Sequence, residues 1–368
     1  MIKKPFDIYL NTKTLGLLLM AECVLEQDEG LLTRVGFRYR QEYLTTEGAF
    51  AVDPVGLPLT NRDYVIECRQ GLPAFLDDYL PDAWGRKVIA KLMFYKKRQR
   101  IDPGSVIDIL NCLGGNRIGA LNIVPKGQQP AYTLGECYDQ LPSAEKMVQA
   151  IEQDSMQVVD ELGLLYLANS GTGVGGARPK ALIYDDKPYL AKFNRLTFDQ
   201  YNNARVELAC LFMAKAAGLN VGHGKILSIN NREALLLERF DIEHQYRHHL
   251  ITVNALIKNP TSQRDGGGLF RYDDIVVLLR RYSIHVEQDL VHLLSLMLFN
   301  RAIHNTDDHE RNFSFIHRGE GYQLAPAYDM VPSVVAGQYH VAGFGYSPYP
   351  PTLKEAKRLG RIFNLPKS

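Results

Sequence analysis

Cysteine is scarce and carries no pattern. Only five occur in 368 residues (Cys23, Cys68, Cys112, Cys137 and Cys210), and no two form a C-x-x-C pair. That argues against a disulfide scaffold and a structural zinc site, and fits a reducing cytosol. An excess of one charge is also missing. With 42 basic against 41 acidic residues the net charge is +1, so no global field draws in nucleic acid, and any such contact has to be local. Long hydrophobic runs are absent too. Leu15 to Ala21 is too short to span a bilayer, and Met1-Ile2-Lys3-Lys4-Pro5 meets charge again without a long apolar core or a clear cleavage signal. The expected location is the cytoplasm, with no membrane partner. No internal repeat or low-complexity tract interrupts the chain.

What is present is ordinary globular material, 46% apolar and 23% charged, long enough for two or three domains. Residues 1–130 read as a mixed α/β unit. Phe6 to Leu10, followed by Asn11 and Gly16, suggests a hairpin. Phe37-Arg38-Tyr39 and Leu57-Pro58-Leu59 read as further short strands. Leu72 to Met93 is helical in pattern but broken by Pro73 and Pro81. Lys96 to Arg100 is a basic run, read as a solvated helix end, and Gly114 to Pro125 as a turn and a closing strand. Lys126 to Pro130 is a linker, followed by helices over Ser143–Ile151 and Ser155–Leu167.

Residues 131–240 hold the first chemical signal. Ser170-Gly-Thr-Gly-Val-Gly-Gly-Ala-Arg-Pro-Lys180 is glycine-rich, and Gly173, Gly175 and Gly176 allow backbone N–H groups to close on phosphate oxygens. A Walker loop needs Lys-Ser/Thr after its last glycine, and here Ala177-Arg178 follows. A dinucleotide fingerprint needs a helix next, and Pro179 and an alternating strand follow instead. A kinase loop lies between strands and precedes a strand bearing a lysine, which matches Ala181–Tyr184, a turn at Asp185 to Pro188, and Tyr189-Leu-Ala-Lys192-Phe193. Taken alone, Lys192 is an ordinary exposed strand lysine. In the kinase pattern it holds nucleotide phosphates and pairs with a helix glutamate, for which Glu207, on a helix over Asn202–Gly218, is the candidate. Strands over Lys225–Ile229 and Ala234–Arg239 turn at Asn230-Asn231. Glu238 and Phe240 then lie where a chain passing between two lobes can meet an adenine, and equally where a strand ends in a structural ion pair.

Residues 241–368 read as mainly helical, with a strongly apolar helix over Asp289–His304 whose start Glu287 or Asp289 can support. Next comes Asn305-Thr-Asp-Asp-His-Glu-Arg-Asn312. Asp307 and Asn312 have the spacing of a kinase catalytic loop, in which the aspartate accepts the substrate hydroxyl proton and the asparagine binds magnesium. A hairpin of Phe313–Ile316 and Tyr322–Ala325 then delivers Asp329, a second acid suited to octahedral magnesium. A metal-dependent hydrolase could use His304, Asp307, Asp308 and His309 as ligands. That reading leaves the glycine loop and Lys192 unexplained and finds no second cluster with ligand spacing. His244, His248 and His249 lie in a polar stretch and read as solvent-facing.

Gly175-Gly-Ala-Arg-Pro-Lys-Ala-Leu182, Leu237-Glu-Arg-Phe-Asp241, Asn305 to Ser314 and Tyr328-Asp-Met-Val-Pro-Ser333 together resemble HipA-family serine/threonine kinases, toxins of bacterial toxin–antitoxin systems. Ile8-Tyr-Leu-Asn11, Phe75-Leu-Asp-Asp-Tyr-Leu-Pro-Asp82 and Gly114-Gly-Asn-Arg-Ile-Gly119 extend the likeness to the first 130 residues. The resemblance implies an α+β, two-lobed kinase fold behind a small N-terminal α/β subdomain. By position it makes Asp307 the catalytic base, Asn312 and Asp329 the magnesium ligands, and Lys192 the phosphate-binding lysine. It puts Glu238 and Phe240 at an adenine hinge, with Lys180 and the loop glycines over the phosphates of ATP. It implies a protein substrate such as an aminoacyl-tRNA synthetase and a DNA-binding antitoxin as partner. The chain itself has no convincing helix-turn-helix for reading DNA. Where relatives carry an autophosphorylated serine directly before Val-Gly-Gly, this chain has Gly173, which leaves Ser170 and Thr172 as the nearest hydroxyls. A helix over Leu353–Phe363 ends a C-lobe shorter than that of relatives. The alternative is an inactive kinase fold serving as a regulatory partner, against which the filled catalytic positions argue.

Overall fold

The computed structural model describes residues 1–69, 71–152, 167, 178–195, 201–258, 270–333, 339–344, 349, 352, 354–355, 358, 360 and 363. The helix expected over Ser155–Leu167, the glycine loop and most of Leu353–Phe363 fall outside them.

The first sheet grows from a hairpin. Strands β1 (Ile2–Thr12) and β2 (Gly16–Asp28) pair from Thr12↔Gly16 onward, and Gly16 takes the φ of +63° that the tight turn demands. With β3 (Leu31–Tyr39), β4 (Tyr64–Glu67) and β5 (Leu121–Pro125) they form one sheet in the order β4-β3-β2-β1-β5. Leu57-Pro58-Leu59 is not a strand. Leu57 makes only a bridge to Asp53, whose carboxylate accepts the Val55 and Gly56 N–H groups and folds the chain into a turn. Helices α1 (Gln41–Leu44), α2 (Ala74–Tyr79), α3 (Ala83–Lys97) and α4 (Val106–Leu110) flank the sheet. Pro73 precedes α2, and the Pro81-Asp82 pair separates α2 from α3. Phe6, Ile8, Phe37, Phe75, Leu76 and Ile107 share the core between them.

The second sheet runs β6 (Glu136–Cys137), β7 (Lys180–Tyr184), β8 (Pro188–Phe193), β10 (Arg232–Glu238), β9 (Gly224–Ile229). Among the described residues, α5 (Leu141–Glu152) and α6 (Asn203–Ala216) pack against it. The Arg232 side chain, 1% exposed, fastens α5 to the sheet through Glu145 (3.0 Å) and Glu152 (2.8 Å). Asn202 caps α6 by accepting from Arg205 N, and Gly218 beyond its end takes φ +83°.

The remaining chain interleaves strands with helices rather than being mainly helical. A hairpin of β11 (Ile242–Glu243) and β12 (Tyr246–Arg247) leads to β13 (His249–Thr252), which pairs with β14 (Ser314–His317) and through it β15 (Tyr322–Leu324). Helices α7 (Val253–Ile257), α8 (Tyr272–Tyr282) and α9 (Val286–Ala302) pack around this small sheet. Asp289 sits in the first turn of α9, where its carboxylate accepts the Ser283 hydroxyl (2.6 Å) and Leu324 N (2.8 Å), tying helix to sheet. His244 is exposed as expected, but His248 and His249 are buried at 5% and 2% exposure. They belong to the seam between the first sheet and β14. His249 Nε2 meets the Val52 carbonyl at 2.8 Å, and Phe50 stacks on His317 at 3.7 Å.

Candidate active site

Lys192 sits on β8, the middle strand of the second sheet, and is not the exposed strand lysine its local sequence allows. Its side chain is 14% exposed, with Nζ 2.7 Å from Glu207 Oε1 and also bonded to Asp329 Oδ1. Burial works against its charge, but the Asp329 and Glu207 carboxylates overcome it and raise the ammonium above its usual range. Glu207 comes from the first turns of α6, where it is 8% exposed. Its burial pushes that carboxyl up, opposed chiefly by Lys192. Asp329 follows β15 at φ +56°, in the left-handed region. Burial opposes its ionisation as well, and the Lys192 ammonium beside it holds it below the usual carboxylate range. One cation thus joins the second sheet, α6 and the segment behind β15.

The loop after α9 is stitched to that same segment. Asn305 donates to Asn300 Oδ1 (3.1 Å) and to the Asp329 carbonyl (3.4 Å). Thr306 N donates to the Ser333 hydroxyl (3.0 Å), and Ser333 N to the His304 carbonyl (2.9 Å). Within the loop Asp307 is exposed, while Asn312 Nδ2 donates to its carbonyl at 2.9 Å. That bond leaves the amide oxygen of Asn312, the atom a hard cation takes, uncommitted to it. Desolvation raises the Asp307 carboxyl, His309 opposes, and the like charges of Asp329 and Asp308 raise it further. The Asp329 carboxylate and the Asn312 amide oxygen are hard oxygen donors, the class of ligand a divalent cation such as magnesium takes.

Asp308 does different work. It is 0% exposed and accepts from the Tyr272 hydroxyl (2.9 Å) and Ala342 N (3.1 Å), with His340 Nδ1 at 3.0 Å. These bonds hold the loop from below and commit Asp308 to structure, which removes it from the ligand set a hydrolase needs. Among the described residues no group of three or more His, Cys, Asp or Glu could hold a metal ion.

Lys180 lies on β7 facing the same region, 4% exposed, and pairs with Asp82 at 3.2 Å. Burial lowers its pKa, and Asp82 and Asp329 act against that. Glu238 pairs with Lys187 at 3.1 Å, and its N–H is taken by the His223 carbonyl. Phe240 stacks on Tyr328 with centroids 6.2 Å apart, so the end of β10 touches the residue before Asp329. The structural ion pair is also there: Arg239 and Asp241, both buried, meet at 2.7 Å. Ser170, Thr172, Gly173, Gly175 and Gly176 lie outside the described residues.

Sequence reasoning missed the part that the first subdomain plays. Asp82 caps α3 through Gly85 N (2.7 Å) and pairs with Lys180. A carboxylate after Pro81 signals a helix start, but nothing local signals a partner 98 positions away. Asp78 accepts from Thr252 N (2.6 Å) and Oγ1 (2.7 Å), and Asp77 from Arg311 in the loop itself (2.8 Å).

Comparison with known proteins identifies the family. Residues 172–358 match the HipA-like C-terminal domain and residues 6–124 the HipA N-terminal domain. The protein named "Putative kinase Y4mE" from Sinorhizobium fredii is 27% identical over 82% of this chain and 72% of its own length. The serine/threonine-protein kinase toxin HipA of Shewanella oneidensis is 24% identical over 70% of this chain, which spans 62% of that relative. The solved complex of HipA, HipB and operator DNA from the Shewanella oneidensis MR-1 toxin–antitoxin system superposes with a TM-score of 0.66. It covers 98% of this chain and 85% of the solved one at 21% identity, and so shares its fold.

Proposed function

The chain belongs to the HipA family, and from that premise we propose that it is an ATP- and magnesium-dependent serine/threonine protein kinase, the toxin of a type II toxin–antitoxin pair. The observation that carries the reading is the Lys192 ammonium held jointly by Glu207 and Asp329, with the Asp307–Asn312 loop tied to the same segment.

Lys192 and Lys180 present positive charge to the phosphates of ATP. Asp307 takes the proton of a serine or threonine hydroxyl as that oxygen bonds the γ-phosphorus and ADP leaves. Asn312 and Asp329 would hold magnesium, which would supply charge that offsets the phosphates. Catalysis then consists of positioning and electrostatics, which a rigid, stitched loop provides. Phe240 and the end of β10 supply the wall and edge for adenine.

The likeness to the toxin HipA supports a toxin role, and the solved relative in complex with HipB and operator DNA supports a DNA-binding antitoxin as partner. The proposed substrate is a translation component such as an aminoacyl-tRNA synthetase, and the proposed compartment is the cytoplasm. No helix among the described residues is long and apolar enough to cross a membrane. The test is incubation of the purified chain with γ-labelled ATP, magnesium and bacterial lysate. Labelled phosphoserine or phosphothreonine with wild type and none with Asp307→Ala is expected. Release of inorganic phosphate with no phosphoprotein, sensitive to His309→Ala, would overturn the kinase reading in favour of a hydrolase.

A further inference from the structure

The loop that carries Asp307 and Asn312 is held from outside the kinase lobes. Arg311, between those two residues, donates from Nη2 to Asp77 Oδ2 at 2.8 Å. Asp77 belongs to α2 of the N-terminal subdomain and is 12% exposed. The same oxygen accepts from Asn254 Nδ2 (2.8 Å) and Lys258 Nζ (3.2 Å), so one carboxylate gathers the loop and both ends of α7. The neighbouring Asp78 bonds Thr252, whose hydroxyl caps α7 by accepting from Ala255 N. Val253 N in turn donates to the Phe313 carbonyl, one residue past Asn312. On its other side Arg311 is held through its carbonyl, which accepts the Tyr328 hydroxyl at 2.9 Å. Arg311 is therefore held twice, through its carbonyl by the residue before Asp329 and through its side chain by a different subdomain.

We propose that Asp77 is a positioning residue for phosphotransfer, through which the N-terminal subdomain sets the geometry of the catalytic loop by its ion pair with Arg311. The proposal rests on the kinase reading above. Asp77 touches no reacting group. Its carboxylate fixes the Arg311 side chain, and so the span between the base Asp307 and the cation ligand Asn312. Small displacements of such a pair cost rate rather than nucleotide affinity, because the lysines that meet ATP lie on β7 and β8 and have no bond to Asp77.

The experiment compares wild type with Asp77→Ala, Asp77→Asn and Lys258→Met. It measures transfer of phosphate from γ-labelled magnesium-ATP to serine and threonine residues of bacterial lysate protein, and amide hydrogen exchange of residues 307–312 without nucleotide. For Asp77→Ala the expectation is an apparent kcat lower by about 10- to 100-fold, as for a loop displaced by roughly an ångström, with KM for ATP changed much less and faster exchange in the loop. Lys258→Met removes a cation from the same carboxylate without touching the loop, and leaves kcat and loop exchange as in wild type. Unchanged kcat and unchanged exchange in Asp77→Ala, with Asp307→Ala inactive, would overturn the proposal while leaving the kinase reading intact. A wild type that phosphorylates no protein in the lysate would overturn the kinase reading and the catalytic role proposed for Asp77 with it. If Asp77→Ala does not fold, Asp77→Asn, which keeps an acceptor for Asn254, decides by the same readouts.

Discussion

Removing the charge of Asp82 isolates the contact between the N-terminal subdomain and the nucleotide site. The Lys180–Asp82 pair is 3.2 Å long, with side chains 4% and 14% exposed. At an effective dielectric of about 20 the attraction is about 5 kcal/mol, much of it offset by the desolvation of both groups. Asp82→Asn keeps an oxygen for Gly85 N, so the cap of α3 survives and only the charge is lost. Lys180 then loses its direct carboxylate partner, while the Asp329 charge continues to favour its ammonium. Breaking a buried pair from one side costs about 3–5 kcal/mol, and the help of Asp329 brings the expected loss to roughly 2–4 kcal/mol. Lys180→Met costs less, because Asp82 still caps a helix, and the double variant should resemble Lys180→Met alone. A coupling of about 2 kcal/mol follows from the cycle. The only tryptophan, Trp84, lies in the first turn of α3, packed against Val88 and its neighbours, so its fluorescence in urea reports the affected region. Additive single effects, with Asp82→Asn within about 0.5 kcal/mol of wild type, would refute the reasoning.

Other outcomes follow from the same geometry. Lys192→Met leaves Glu207 and Asp329 without their shared cation. It should weaken ATP binding by calorimetry by roughly 10-fold or more, as for a lost charge-assisted bond, and lower the melting temperature. Asp308→Ala orphans Tyr272, His340 and Ala342 N, for a loss of about 3 kcal/mol or more in urea unfolding. Asp307 acts as a base from a carboxyl raised by desolvation and by Asp329 and Asp308. Turnover should therefore fall as pH drops through a midpoint above the ordinary aspartate value, and a midpoint below it would contradict the assignment. Burial raises Asp78 to about 6, above its unfolded value, so its contribution to stability is full below the unfolded pKa and lost as pH rises through about 6. Wild type should thus gain stability relative to Asp78→Asn between pH 7.5 and 5, and equal profiles would contradict that.

Much of the second sheet was legible because its signals are local. Asn202 and Gly218 bracket α6, Asn230-Asn231 turns β9 into β10, and alternation marks β8. The polar loop after α9 was equally legible, since a long apolar helix ending in Asn305-Thr-Asp-Asp has few other readings. What stayed hidden depends on distant partners. Leu57-Pro58-Leu59 has strand composition, but Asp53 folds its neighbourhood into a turn. His248 and His249 look like loop histidines until the first sheet closes over them. Asp77, Asp78 and Asp82 lie in a stretch read only as a broken helical pattern, and their partners Arg311, Thr252 and Lys180 lie far along the chain.

The most direct measurement is a quantitative phosphoproteome of cells expressing either the wild type or Asp307→Ala at equal levels. The account predicts serine or threonine phosphosites that rise only with the wild type. Indistinguishable phosphoproteomes from two folded, equally abundant proteins would contradict it.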